Sequence, residues 1–566
     1  MLATMRGLAF FSVWSVASIA LAQERRLSVD DYRDHMKGGW IGQIIGVVWG
    51  APTEFKFNGT IVPEESVPRW TPEMINNAFG QDDLYVEMTF LRSMEEHGLD
   101  VPIRQTGLDF ANSEYALWCA NNAGRTNLRK GIAPPDSSHP QFNKCPNDID
   151  YQIEADFAGL ISPGLPNSVI ALGEKFGRLM NYGDGVYGGQ FMGGMYAEAF
   201  FERDLFKVID AGLACIPTDS QYAEMVRDLV RWYRETPNDW QKTWALALQK
   251  YNKNPAYQKD SNGGIDVKIN GAFVLLGLLY GQGDMEKTAV VAMRGGFDSD
   301  CNPSSAAGVL GAMTGFAKLS ACYTQALKLE PKFSYTAYNV PALLDVCEKL
   351  ARQVVVQQGG RIEKDASGKE WFVIPQQTAK PGPYTPSWQA GPIANSKFTP
   401  EEMSKIKFPI KVYSAAQFAD PDPTKRVQKT LDVLFPGWTT SPNAPDMNPG
   451  YREQVERTYN VLVTHPPKKG EPVILSKTVK IPGGDPKLTV KVANAQGGDF
   501  RLIVKVDGEM ALETDVGGKG SEFKTYIIGL SPYRDKTVKI ELYNQPTGWS
   551  NEAASWSEIE VRGNNN

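Results

Sequence analysis

The chain has 566 residues, 42% of them hydrophobic and 22% charged, with a net charge of −6, a length that suits two to four domains. No basic block occurs along it, which excludes a nucleic-acid partner on grounds of charge. The six cysteines lack CxxC spacing and only four histidines are scattered through the chain, which excludes a zinc site of the Cys/His kind.

Residues 1–22 read as a secretory signal: Arg6, an apolar run from Gly7 to Ile19, then Ala20 and Ala22 before a cleavage point. The run is shorter than the roughly 20 apolar residues of a membrane span. No later stretch is long enough either, so the expectation is a secreted or periplasmic protein with no span after signal removal. Export permits a disulfide, and Cys119 with Cys145 is the pair the sequence suggests.

Residues 28–358 read as helical. Their opening places Gly38, Gly42, Gly46 and Gly50 four apart, one helical face along which a second backbone can approach closely. The run ends at Ala51-Pro52 and presents Glu54, either inward or as a surface acid. Next, Leu84, Met88 and Leu91 mark a buried stripe behind Asp82 and Asp83. The helix dipole accounts for one acid at that start. Two adjacent carboxylates, with Glu87 one turn on, repel each other unless a cation neutralises them.

Further on, Asp148, Asp150, Glu154 and Asp156 cluster, and Asp184 lies in a glycine-dense stretch between Tyr182, Tyr187 and Gln190. These are candidates for a pocket wall; solvated helix starts are the alternative. A helix pair turning at GQGD leads to RGGFDSDCNPSS. There Gly295 and Gly296 allow a turn, and Asp298 and Asp300, two apart, can reach one cation. An ordinary helix start capped by Asp300 or Asn302, with Pro303 in the first turn, is the other reading.

A glycine-spaced helix ending G-A-P-x-E-F, a later D-D at a helix start and a distant G-G-x-D-x-D before Asn and a small-residue helix, in that order between Asp31 and Gly315, resemble the ADP-ribosylglycohydrolase family. The resemblance implies an all-α catalytic domain around a two-magnesium centre. It implies Asp82, Asp83, Asp298 and Asp300 as metal ligands and Glu54 at the metals or at the attacking water, with Glu54, Asp83 and Asp298 as the catalytic set. Mg²⁺ suits carboxylate ligands, with Mn²⁺ or Ca²⁺ as alternatives. This chain departs from the family at Gln81 and Cys301, where threonines are common. Gln81 can still offer a carbonyl oxygen, whereas Cys301 is a poor magnesium ligand. Asp150, Tyr182, Asp184, Tyr187, Gln190 and Asn302 are the candidate substrate contacts.

Residues 359–426 read as a hairpin turning near Ser367, then a Pro-rich linker and a short helix from Pro400. Over 427–563 period-two alternation indicates a β-sandwich of jelly-roll type whose close resembles galactose-binding-like modules. Trp549 and Trp556 are its candidate sugar-stacking residues, with core packing of at least one as the alternative. The expectation is a multidomain chain, an all-α glycohydrolase-like domain followed by a β-sandwich, hydrolysing a glycosidic bond in a small-molecule or glycan substrate. A non-catalytic sugar-binding protein and a surface protein working through its sandwich are the rival readings.

Overall fold

The computed structural model describes residues 23–518 and 520–563, so the signal segment read over 1–22 lies outside the described residues. The chain divides into two compact units between Pro409 and Ile410. Among the described residues, no helix is long and apolar enough to cross a membrane.

The first unit is built around the Val29–Gly50 helix. Ser28 caps it, its Oγ accepting from the Asp31 N–H at 3.1 Å, and Asp30 and Asp31 in the first turn suit the helix dipole. From Gly38 onward every residue of this helix is buried. Its glycine face meets the Cys301–Thr314 helix backbone to backbone. A Cβ on Gly42 would lie 2.1 Å from the Ala307 carbonyl oxygen, one on Gly46 2.1 Å from that of Pro303, and one on Gly50 2.1 Å from that of Ser299. No side chain fits there, and the contact fixes the end of one helix against the start of the other.

Three strands lie on this unit: β1 (Glu24–Ser28), β2 (Arg361–Lys364) and β3 (Glu370–Pro375), in the order β1-β3-β2, with Arg26 opposite Val373. The hairpin is the one read from sequence; β1 joins it as a third strand. The Pro-rich residues from 376 to 409 form a strap on the helical unit. Asp136 accepts from the N–H groups of Ala394 and Ser396 at 2.8 and 2.7 Å, and the Thr385 N–H donates to the Tyr187 hydroxyl at 3.0 Å.

The second unit begins before the strands. A helix, Pro423–Leu434, occupies the point near Val427 where alternation was read to begin. Asp422 caps it, accepting from the Thr424 N–H at 2.8 Å, Pro423 fills its first turn, and Val427 and Leu431 join the core. Ten strands follow: β4 (Thr439–Thr440), β5 (Gly450–Val455), β6 (Thr458–Thr464), β7 (Val473–Lys480), β8 (Lys487–Asn494), β9 (Asp499–Val506), β10 (Glu509–Gly517), β11 (Lys524–Gly529), β12 (Thr537–Gln545) and β13 (Ala554–Arg562). They form two antiparallel five-stranded sheets, β10-β9-β12-β7-β4 and β11-β8-β13-β6-β5. Alternate residues of both sheets, such as Leu502 and Val504 of β9 and Leu488 and Val490 of β8, share one core, the arrangement of a β-sandwich. Trp556 is fully buried there, its Nε1 donating to Thr464 Oγ1 at 3.0 Å, whereas Trp549 stays 44% exposed. The first is therefore a core residue and the second a surface one.

Candidate metal centre and cleft

Two loops and a helix start converge at the end of the central helix. After Gly50, a single turn over Ala51–Thr53 delivers Glu54. The next residues pair with the Asp298 loop: the Phe55 N–H donates to the Phe297 carbonyl at 2.9 Å, and the Phe297 N–H returns to Phe57 at 3.1 Å. Gly296 takes φ +81°, where a Cβ would lie 2.4 Å from the Phe57 carbonyl oxygen, so the close approach demands glycine. Thr53 Oγ1 and Ser299 Oγ lie 2.7 Å apart and tie the loops from beneath.

The acids gathered there are buried. Asp83 is fully buried and Asp298 and Asp300 are 3% exposed. One ligand atom from each of Asp298, Asp300 and Cys301 lies within 4.8 Å of the others, a group able to hold a metal ion. Burial, then the Asp300 and Asp82 charges, hold Asp83 well above the carboxylate range. Burial, then Asp300, does the same to Asp298. Burial raises Asp82 and Asp300 as well, and burial with repulsion from Asp300 and Asp82 pushes Glu54 up to about 7. Each shift reports carboxylates that lack a counter-charge.

A divalent cation fits this set. Asp83 Oδ2, Asp298 Oδ1 and Asp300 Oδ1 are buried without a hydrogen-bond partner among the described residues, and uncompensated buried charge is costly. The donors are carboxylate oxygens, which suit a hard cation. Cys301 differs: burial holds its thiol well above its ordinary range, and its Sγ donates to Asp83 Oδ1 at 3.0 Å. In this arrangement it is a thiol donor that orients Asp83.

Behind the acids lies a second buried network. Gln43 Nε2 donates to Glu87 Oε1 at 3.0 Å and also to Asp156, the Phe157 N–H donates to Glu87 Oε2 at 2.8 Å, and the Tyr196 hydroxyl donates to Asp156 at 2.7 Å. Glu87 therefore ties its helix to Gln43 of the central helix and to the backbone at Phe157.

In front is a cleft of about 690 Å³, lined by Glu54, Gln81, Asp82, Asp298 and Cys301 on one side and by Asp150, Glu154 and Asn121 on another. Phe55, Tyr85, Trp118 and Phe297 supply its aromatic surface. The structure thus brings together Glu54, Gln81, Asp82, Asp83, Asp298, Asp300, Cys301 and Asp150. Asn302 does not line the cleft; it is buried in the helix below, its Nδ2 donating to Asn270 Oδ1 at 3.0 Å.

Tyr182, Asp184, Tyr187 and Gln190 also lie outside the cleft. Their glycine-dense stretch is a buried helix, Asp184–Ala199, and its glycines admit protein neighbours: a Cβ on Gly189 would lie 2.4 Å from Tyr151 Cδ1. Tyr182 accepts from the Gly391 N–H at 3.1 Å and Tyr187 meets Thr385 Oγ1 at 3.0 Å, both seating the strap. Asp184 accepts from the Tyr222 N–H at 3.0 Å and from the Tyr384 hydroxyl at 3.3 Å. Gln190 Nε2 donates to the Ile170 carbonyl at 3.2 Å.

Sequence reading passed over Tyr85, Trp118 and Asn121 as site residues. Glu154 stood only among the pocket-wall candidates, four residues from Asp150; Trp118 and Asn121 come from an unrelated segment. Cys119 and Cys145 are both free thiols, and Asn262 Nδ2 lies 3.7 Å from the first sulfur and 3.9 Å from the second.

A model of the ADP-ribosylglycohydrolase family matches residues 28–360, more than half of the chain. No curated protein matches it. Among solved structures, an ADP-ribosylglycohydrolase-related protein complex aligns at 13% identity and TM-score 0.37, over 57% of this chain and 99% of that one. The K3 adhesin domain of Lys-gingipain from Porphyromonas gingivalis W83 aligns at 9% identity and TM-score 0.19, over 23% and 94%. TmCBM61, solved with β-1,4-galactotriose, aligns at 13% identity and TM-score 0.19, over 26% and 100%. On the strength of the family match, the chain belongs to the ADP-ribosylglycohydrolase family.

Proposed function

We propose that this chain is an exported, metal-dependent glycoside hydrolase that cleaves an O- or N-glycosidic bond of a furanosyl or related glycan substrate. The observation that carries this reading is the cluster of Asp83, Asp298 and Asp300, whose unpartnered buried oxygens lie beside a cleft that Glu54 and Asp82 also line. The carboxylates of Asp82, Asp83, Asp298 and Asp300 would hold the metal, with Mg²⁺ favoured by their hardness, and Gln81 offers a further carbonyl oxygen. Bound there, a divalent cation supplies Lewis acidity and a water of lowered pKa.

The chain's own residues do the rest. Glu54, exposed on the cleft wall, accepts or returns a proton at its carboxylate. Cys301 fixes the orientation of Asp83 through its thiol, and the paired loops at Phe55 and Phe297 hold Glu54 and Asp298 on one wall. The aromatic surface excludes water from a bound ring.

The test is calorimetric titration of the metal-stripped protein with Mg²⁺, Mn²⁺ and Ca²⁺, repeated with Asp83→Ala and Asp300→Ala, followed by a metal-dependent hydrolysis screen. Uptake that both substitutions abolish, with turnover of one glycoside, supports the reading. No uptake of any divalent cation sinks it. Uptake without turnover of any glycoside favours the non-catalytic alternative.

A further inference from the structure

The cleft holds no cationic side chain. Its lining includes the carboxyl groups of Glu54, Asp82, Asp150, Glu154 and Asp298, and no Lys, Arg or His among the described residues. Lys56, the nearest cation in sequence to Glu54, donates instead to the Pro52 carbonyl at 2.6 Å. A phosphate-bearing ligand needs cations or free N–H groups to replace its hydration.

Helix-start N–H groups are the other source of anion binding, and at this cleft each of them faces a carboxylate of the protein. The helix starting at Cys119 opens on the cleft without a side-chain cap of its own. Its first N–H groups point at Asp150: the Asn121 N–H donates to Asp150 Oδ1 at 3.2 Å and the Ala120 N–H also reaches that carboxylate. The helix starting at Asp82 carries Asp82 and Asp83 in its first turn. The helix starting at Cys301 has Asp300 at its N-cap position. Every helix start facing the cleft thus carries a protein carboxylate where an external anion would sit. Divalent cations in the metal centre would neutralise these acids and leave little surplus positive charge.

The cleft also carries unpartnered acceptors outside the set of candidate metal ligands. Asp150 Oδ2, Glu154 Oε2 and Asn121 Oδ1 are buried acceptors with no partner among the described residues, on side chains that are at least nine-tenths buried. They call for a ligand rich in O–H donors. Phe55 and Trp118, 40% and 47% exposed, offer flat apolar surface beside them.

We infer that the cleft takes an uncharged glycoside, its hydroxyl groups donating to Asp150, Glu154 and Asn121, and that it rejects ligands carrying phosphate, ADP-ribose included. This inference rests on the reading of the cleft as the substrate site.

The test is binding to the full-length protein at saturating Mg²⁺ and low ionic strength. The ligands are ADP-ribose, ribose 5-phosphate and ribose, together with a panel of neutral aryl furanosides, aryl pyranosides and oligosaccharides. At least one neutral ligand should bind tenfold or more tighter than both phosphorylated ones and lose at least tenfold in Trp118→Ala. Equal or tighter binding of ADP-ribose, or no neutral ligand bound, overturns the inference. Asp150→Ser, checked for folding by circular dichroism, should bind inorganic phosphate at least tenfold tighter than the unaltered protein; an unchanged affinity in a folded variant also overturns it. Turnover separates the two claims. Hydrolysis of ADP-ribosyl-arginine keeps the glycohydrolase reading and removes this one, while tight neutral binding without any hydrolysis does the reverse.

Discussion

The two units handle charge in opposite ways. In the sandwich the one buried carboxylate among the described residues, Glu552, accepts from the N–H groups of Thr547 and Gly548 at 3.0 and 2.9 Å, and Arg501 pairs with Asp515 in the open. The helical unit buries Asp83, Glu87, Asp148, Asp150, Glu154, Asp156, Asp298 and Asp300, several of them with an oxygen left unpartnered. A fold that needed only stability would resemble the sandwich throughout. The helical unit gives up stability around its cleft, which is where stored electrostatic cost coincides with chemistry.

The sharpest way to test that contrast is at the contact that withstands the cost. Gly46→Ala, whose Cβ would lie 2.1 Å from a backbone oxygen, is expected to cost about 3 kcal/mol or more in chemical denaturation, because backbone cannot give way as a side chain can. Leu502→Ala in the sandwich core should cost a comparable ~3 kcal/mol through an apolar cavity; if Gly46→Ala costs far less, the helices are not locked as described.

Next in size, Asp300→Ala should weaken divalent-cation affinity about a hundredfold, or ~2.7 kcal/mol. Asp300→Asn should raise the metal-free melting temperature by removing like-charge repulsion, while Asp515→Asn in the sandwich leaves it unchanged. A fall in Tm for Asp300→Asn would contradict the claim that these acids are unsatisfied.

The pH dependence follows from the same acids. Glu54, Asp150 and Asp156 are pushed up to about 7, chiefly by burial. Between pH ~4 and ~7 the folded, metal-free chain therefore holds protons that the unfolded chain has released. That stabilisation is complete below the ordinary carboxylate range and is lost as pH rises through 7. Metal-free Tm should fall from pH 5.5 to 8, and saturating Mg²⁺ should flatten the profile; scanning calorimetry reads both.

A smaller effect separates strap from site. Tyr187→Phe removes the hydroxyl that meets Thr385 and should cost about 1 kcal/mol with cation uptake intact. Smallest of all, Trp549→Ala should move stability by less than about 0.5 kcal/mol, so any loss of glycan retention on it would report binding by the sandwich alone.

The parts of the fold that were readable in the sequence are those whose cause is local. Four glycines at helical spacing, two acids before a buried stripe and a D-x-D after two glycines each state their geometry within a few residues. The Asp150 side of the cleft was readable only in part, because Trp118 and Asn121 meet Asp150 and Glu154 only after distant turns fold together. The Tyr182–Gln190 stretch misled because glycines that admit a ligand and glycines that admit a neighbouring tyrosine look alike in one dimension. The Pro423–Leu434 helix had its signals, an Asp cap, a proline in the first turn and Val427 and Leu431 four apart, overshadowed by the strands beyond it. Strand β1 could not be read because its partner among the described residues is β3, more than 300 residues later.

The glycine contact also sets an order of events during synthesis. Residues 38–50 leave the ribosome first, yet their only well-fitting partner, residues 299–311, follows some 260 residues behind. Until then the glycine face of the helix has no backbone to close against, and the loop that carries Asp298 and Asp300 does not exist. Closure of so long a loop is slow and comes late, so the acidic cluster assembles only once both helices have been made. A chain cut short before Asp298 lacks half of the acidic cluster and leaves the glycine face of the first helix without the backbone it closes against.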